Sequence, residues 1–224
     1  MTVAVQPVHA VLFDLDGTLV DTDIDFPLMK NRLLALAASH GLNTEPLKHL
    51  DILAMIDVAE NSLQDNPDSA ANLRLRAMNI LQDIELKHAR NTREVPYARE
   101  LLDKLRARGF KVGIVTRNCR AASLISLRMV GIHPDALVCR EDTALRKPHP
   151  HHVLRAMEEL KCAKEHSWMV GDHIMDIESG RAAGVKTVGF LRDYRPRDFF
   201  DVVAPDAVVT NLQEVLGVVV DCCR

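Results

Sequence analysis

One stretch constrains this chain more than any other: Val11-Leu12-Phe13-Asp14-Leu15-Asp16-Gly17-Thr18-Leu19-Val20. An apolar run ends in two carboxylates one residue apart and then breaks at a glycine. Such a run reads as a buried strand, and the glycine marks its stop. Side chains alternate along a strand, so Asp14 and Asp16 can lean to the same side of its carboxyl end. Two carboxylates that close repel each other and call for a cation or a proton. A divalent metal meets that need at neutral pH, and magnesium suits a few carboxylates plus waters and substrate phosphate. A solvated acidic turn would carry the same two residues, so the remaining chain decides between them.

Downstream of Val20 the period changes. Apolar residues recur at helical spacing from Pro27 to His40, again from Pro46, and again through Leu73, Met78, Leu81 and Ile84. Residues 23–92 therefore read as a small all-helical insert. Beyond Pro96, strand and helix alternate. Strands are expected at Phe110–Val115, Ala136–Cys139, Ser167–Val170, Val185–Leu191 and Ala207–Thr210. Helices are expected at Tyr97–Arg108, Ala121–Val130, His151–Leu160 and Ile177–Ala183. This alternation predicts an α/β fold with a doubly wound parallel sheet and right-handed crossovers, built from residues 1–22 and 93–224.

Composition narrows the function classes. In 224 residues, 47% are hydrophobic and 26% charged, with a net charge of -3, so no nucleic-acid footprint is visible and none is expected as a partner. No apolar run reaches the length of a membrane span. The segment Met1 to Pro7 lacks a basic region followed by an apolar core, so no signal peptide is expected and a cytoplasmic location is. Cys119, Cys139, Cys162, Cys222 and Cys223 show no zinc spacing, and their odd number argues for reduced thiols.

Four places at predicted strand ends, or in the loops after them, carry polar groups. Asp14 and Asp16 are the first. Thr116-Arg117-Asn118 is the second, a hydroxyl before a helix start, where an anion can sit or where Thr116 simply caps the helix. The third is Lys147 in Arg146-Lys147-Pro148-His149-Pro150, whose prolines are expected to hold the segment extended and present one fixed charge. The fourth is Gly171-Asp172-His173-Ile174-Met175-Asp176, with Asp172 at a strand tip and Asp176 a turn onward, where it could also cap a helix. Strand tips of one parallel sheet face one crevice. Acid to hold a metal, with a cation and amides to hold an anion, is what phosphoryl chemistry requires.

In their order, Asp14-Leu15-Asp16-Gly17-Thr18, Thr116, Lys147-Pro148, and Gly171-Asp172 with Asp176 resemble the haloacid dehalogenase superfamily of phosphohydrolases. The resemblance covers nearly the whole chain, with the insert in the place of a C1-type cap domain, and within the superfamily it leans toward the phosphoglycolate phosphatase branch. It implies a magnesium-dependent phosphatase acting on a small phosphorylated metabolite. Asp14 would be the nucleophile that becomes phosphoaspartate. Asp16 would be the general acid and then the base. Thr116, Arg117 and Lys147 would hold the phosphate. Asp14, the backbone carbonyl of Asp16, Asp172 and Asp176 would make the metal site. Dehalogenases of the superfamily lack an acid at the Asp16 position, because a halide leaves without a proton, so phosphoester hydrolysis is expected here. A sugar phosphomutase of the same superfamily also keeps that acid and is the alternative within enzymes. A phospho-accepting signalling module is the alternative from another class, although its aspartate does not sit in an Asp-x-Asp-Gly-Thr run.

The insert lacks aromatic residues between Phe26 and Tyr97, so it supplies no stacking surface for a nucleobase. Lys30, Arg32, Lys48, His49, Arg74, Arg76, Lys87 and Arg90 are its basic groups, and one could read a substrate carboxylate. His149, His151 and His152 read as a turn and helix start rather than a zinc site. Phe199 and Phe200 fit either core or a dimer contact.

Overall fold

The computed structural model describes residues 9–221. The N-terminal segment considered for a leader, and Cys222 and Cys223, lie outside them. The chain forms two compact units, one of residues up to Thr22 and from Ala89 onward, the other of Asp23–His88.

The first unit starts with β1 (Ala10–Phe13) and a short β2 (Val20–Asp21). The second unit is built on α1 (Phe26–Ser39), α2 (Ile52–Asn61) and nearly all of α3 (Pro67–Ala89). The chain continues through β3 (Arg93–Glu94), α4 (Ala98–Ala107), β4 (Lys111–Val115), α5 (Arg120–Val130), β5 (Ala136–Val138) and α6 (His151–Leu160). It ends with β6 (Ser167–Gly171), α7 (Ile174–Ala183), β7 (Lys186–Phe190), β8 (Ala207–Val209) and α8 (Leu212–Asp221). Six strands form one sheet in the order β5-β4-β1-β6-β7-β8. Every pairing in it is parallel. This is the α/β doubly wound sheet that the alternation predicts.

Alternation along the strands decides which helix covers which face. Val11, Phe13, Val112, Ile114, Trp168 and Val170 pack into a core with Leu101, Leu105, Leu127 and Val215 of α4, α5 and α8. Ala10, Leu12, Val115 and Met169 pack the other way, against Val153, Ala156 and Leu160 of α6 and Ala183 of α7. Asp14 continues the parity of Ala10 and Leu12. It therefore leaves the sheet on the side where α6 and α7 begin.

The helical unit has its own core, centred on Leu33, Leu36, Met55, Ile56, Leu73 and Leu81. Acidic and amide side chains start its helices. Asp25 accepts from the Leu28 amide at 2.8 Å, Asp51 from Leu53 at 3.1 Å and Asn66 from Ser69 at 3.1 Å. Two of its basic groups are already engaged: Lys48 pairs with Glu45 at 2.5 Å, and Arg74 with Asp57 at 3.0 Å and with Glu60. Thr92 belongs to the first unit, where its hydroxyl donates to the Ala89 carbonyl at 2.7 Å and meets Ser126 at 2.9 Å.

Three local expectations change. The seventh helix starts at Ile174 rather than Ile177, because His173 is its N-cap and Asp176 completes a capping box. Asp176 is therefore not itself the cap. The Lys147-Pro148-His149 segment is a turn rather than extended, closed by the His149 amide on the Arg146 carbonyl at 2.9 Å. The β2–β3 pairing and α8 are additions that periodicity did not signal.

Candidate active site

Register brings the sequence-distant motifs to one level. Phe13 pairs with Ile114 on one side and Val170 on the other, so Asp14, Thr116 and Asp172 all follow strands that end together. The Asp14 amide donates to the Val170 carbonyl at 2.9 Å, and the Thr116 amide donates to Val138 at 2.9 Å. The carboxyl ends of the three central strands thus form one rim.

At that rim Asp14, Asp172 and Asp176 each offer an oxygen within 4.8 Å of the others. Lys147, 4% exposed, reaches in from the turn before α6. Its Nζ contacts Asp14 Oδ1 and lies 2.6 Å from Asp176 Oδ1. Two glycines give the carboxylates room. An added Cβ at Gly171 would lie 2.3 Å from Asp176, and one at Gly17 would lie 2.5 Å from Asp172 Oδ2.

Three buried carboxylates face one ammonium, and the electrostatics show it. Burial drives the Asp14 carboxyl up from 3.8 to about 8, with Lys147 opposing and Asp176 and Asp172 adding to the rise. Burial likewise lifts Asp172 to about 6, reinforced by Asp176 and opposed by Lys147 and Arg195. Burial alone would depress Lys147, but Asp14 and Asp176 hold it above its ordinary value. The donor set is all oxygen, clustered and short of positive charge. That is what a hard divalent cation such as magnesium fits.

The loop after β1 folds back on itself. The Gly17 amide donates to the Val20 carbonyl at 2.7 Å, with Gly17 at φ +89°. Asp16 lies in this loop, and its carboxylate stands outside the metal-type cluster. Its Oδ1 accepts from the Thr22 hydroxyl at 2.7 Å and the Thr22 amide at 3.2 Å. Thr116 does not cap α5, whose N-cap is Cys119 with Sγ accepting from Ala122 at 3.4 Å. The Thr116 hydroxyl instead accepts from the Asn118 amide at 3.2 Å. The Arg117 guanidinium lies 2.7 Å from the Met175 sulfur, at the start of α7.

Other residues join the site that motif reading assigned no role. Thr18 donates to Asp172 Oδ1 at 3.3 Å, and the Tyr194 hydroxyl to Asp172 Oδ2 at 3.4 Å. Arg192 donates to the Gly17 carbonyl at 2.8 Å and to Asp21 at 3.1 Å, tying the loop after β7 to the loop after β1. Arg192, Tyr194 and Arg195 follow a predicted strand, so their place beyond a strand tip is legible in the sequence on the same ground as that of Asp172. His149 and His151 meet edge-on with ring centres 4.3 Å apart, and His152 is buried. Phe200 is buried core, while Phe199 packs edge-on to His173 and Phe200.

A lysine that can hold an anion, beside carboxylates that can hold a cation at the tips of a parallel sheet, is an arrangement suited to chemistry on charged, phosphate-like groups. Residues 11–190 match the family of haloacid dehalogenase-like hydrolases, and the chain belongs to that family. It is 30% identical over 222 residues to the pyrophosphatase PpaX of Bacillus pumilus, covering 95% of this chain and 96% of that relative. In fold it is similar to a Bacteroides fragilis protein assigned to the haloacid dehalogenase-like hydrolases, with a TM-score of 0.68, 22% identity and coverage of 93% and 99% of the two chains. A predicted phosphoglycolate phosphatase of Haemophilus somnus gives a TM-score of 0.63 at 19% identity, covering 94% and 97%. The chain is an enzyme, a hydrolase of the phosphatase type. No helix among the described residues is long and apolar enough to cross a membrane.

Proposed function

We propose that the protein is a magnesium-dependent phosphatase that hydrolyses a small phosphorylated metabolite through a phosphoaspartate on Asp14. The observation that carries this reading is the Lys147 ammonium between Asp14 and Asp176, inside a buried carboxylate cluster that also holds Asp172. The helical unit is its specificity module, the role the family resemblance gives it, and the enzyme works in the cytoplasm.

In the first step an Asp14 oxygen attacks phosphorus, the bond from phosphorus to the leaving oxygen breaks, and Asp16 gives that oxygen its proton. In the second step water attacks the phosphorus and passes a proton to Asp16. The phosphorus–Asp14 bond then breaks, which restores the carboxylate and releases phosphate. Lys147 and Thr116 hold the phosphoryl oxygens, and Arg117 supports them from the mouth of α7. The Thr22 donors hold the Asp16 carboxylate between steps. Asp14, Asp172, Asp176 and the Asp16 carbonyl would hold the magnesium, which supplies charge neutralisation that lets a carboxylate approach a phosphate dianion.

Pyrophosphate, after the printed name of the pyrophosphatase relative, and phosphoglycolate, after the branch that the motifs resemble, come first in a substrate panel. Phosphate release from that panel with magnesium, lost on chelation and lost in Asp14→Asn, is the expected result. A protein that releases phosphate from nothing in the panel, or an Asp14→Asn variant as active as the parent, overturns it. Conversion of a sugar phosphate to its isomer without phosphate release would instead favour the mutase. A lasting phosphoaspartate without turnover would favour the signalling module.

A further inference from the structure

Among the described residues, the cations around the carboxylate cluster are engaged, with one exception. Lys147 is held by Asp14 and Asp176, and Arg192 by Gly17 and Asp21. Arg117 leans on the Met175 sulfur. Arg195 is different. Its Nε is buried without a hydrogen-bond partner, and among the described residues no carboxylate lies within ion-pair distance of its guanidinium. Two aromatic rings hold it instead. Its Cζ lies 4.4 Å from the Phe199 ring centre and 5.4 Å from that of Tyr194.

Both rings are anchored at the site. The Tyr194 hydroxyl donates to Asp172, and Phe199 meets the His173 ring edge-on at 6.0 Å. The segment itself is pinned from below. Phe200 is buried over Gly189 of β7, and the Leu191 amide donates to Val209 at 2.8 Å. Arg195 is thus placed beside the carboxylate cluster by the two rings that contact it, one bonded to Asp172 and the other packed on His173. A guanidinium fixed between aromatic faces keeps its planar fork oriented at little further entropic cost, and that fork matches carboxylate and phosphate oxygens.

We propose that Arg195 is a specificity residue of the phosphatase site, binding a second anionic group, carboxylate or phosphate, on the leaving group of the substrate. The acidic rim otherwise repels such a group, and Lys147 is engaged by the site's own carboxylates. Substrates whose leaving group is neutral gain nothing from Arg195. The inference rests on the phosphatase reading above, and it selects phosphorylated acids or pyrophosphate-like substrates within it.

Two measurements test it with Arg195→Gln and Arg195→Lys. In turnover, the ratio of kcat/KM for pyrophosphate or phosphoglycolate to that for ethyl phosphate should fall by about tenfold or more in Arg195→Gln, mostly through KM, with partial recovery in Arg195→Lys. Response of only one anionic substrate identifies whether the anion is phosphate or carboxylate. In binding, calorimetry with magnesium on Asp14→Asn should show pyrophosphate weakened about tenfold or more by Arg195→Gln, and ethyl phosphate weakened less. The binding arm needs no turnover, so it decides on Arg195 even if the protein hydrolyses none of these compounds. A parallel loss for ethyl phosphate and the anionic ligands would show that Arg195 only tunes Asp172. That result, or unchanged ratios in both measurements, overturns the proposal.

Discussion

Gly17 and Asp172 are mutually dependent: an added Cβ at Gly17 would sit 2.5 Å from Asp172 Oδ2, and Gly17 holds φ +89°. Gly17→Ala meets both obstacles at once, a backbone region that side chains avoid and a carboxylate that must move. We expect phosphatase activity to drop by about tenfold or more, with a higher magnesium requirement because Asp172 is displaced. A magnesium titration of phosphate release reads this, and an unchanged magnesium half-saturation would refute the displacement.

If Asp14 is the nucleophile proposed above, Asp14→Asn should reduce turnover by about 1,000-fold or more, since a nucleophile that acts as part of a unit is not replaced by its neighbours. The same change should stabilise the metal-free protein. The folded Asp14 carboxyl titrates at about 8 against an ordinary 3.8, so the unfolded chain releases its proton first as pH rises. Stability from this group is therefore full below about pH 4 and declines toward pH 8. In chelator at pH 8, Asp14→Asn should melt higher than the parent, and the gap should close near pH 4. Magnesium should raise the parent's melting temperature more than the variant's.

Arg192 fixes the loop that carries Asp16 without being proposed to touch substrate. Arg192→Ala should lower kcat by about tenfold while the sheet stays intact. Arg192→Lys should recover only part, because one ammonium cannot span the Gly17 carbonyl and Asp21 as the fork does. Faster amide exchange at residues 17–21 in Arg192→Ala would locate the effect, and exchange equal to the parent would count against it.

His152 is fully buried with both ring nitrogens lacking hydrogen-bond partners among the described residues, and burial first, then Lys147 and Arg146, push its pKa down to about 3. Below its ordinary 6.5 the unfolded chain takes up a proton that the folded imidazole refuses, so stability is lost as pH falls from 6.5 toward 3. His152→Leu should remove that loss and stabilise the protein by about 1–3 kcal/mol at pH 7.5 by deleting an unsatisfied polar group. Denaturant unfolding at pH 5 and 7.5 should show the variant's advantage growing at the lower pH. An equal advantage at both would place the imidazole's titration elsewhere.

Much of this was legible in the sequence because the informative rules are local or topological. Alternation along one apolar run places Asp14 on the α6–α7 side, and a parallel sheet gathers Thr116, Asp172 and Asp176 without any knowledge of side-chain contacts. What escaped has physical causes. Leu212–Asp221 is rich in β-branched valine, which favours strands locally, and packing of Val215 and Val219 onto the sheet overrides that preference. The turn at Lys147 follows from a backbone hydrogen bond that composition does not encode. Arg192, Tyr194 and Arg195 sit in a loop with no period; the partners of Arg192 and Tyr194 are far away in sequence, and the Arg195 contacts with Tyr194 and Phe199 follow no helix or strand spacing.

The sheet order has a consequence for how the chain is made. β1 lies between β4, complete by residue 115, and β6, which begins at residue 167. A nascent chain made only through α6 can pair β1 on one side alone. The strand that carries Asp14 then presents an open, wholly apolar edge, a template for pairing with other chains. Asp172 and Asp176 do not yet exist at that stage, and Lys147 has only Asp14 to meet. The residues directly after the strand that closes the edge complete the carboxylate cluster, so protection from aggregation and competence for chemistry arrive together.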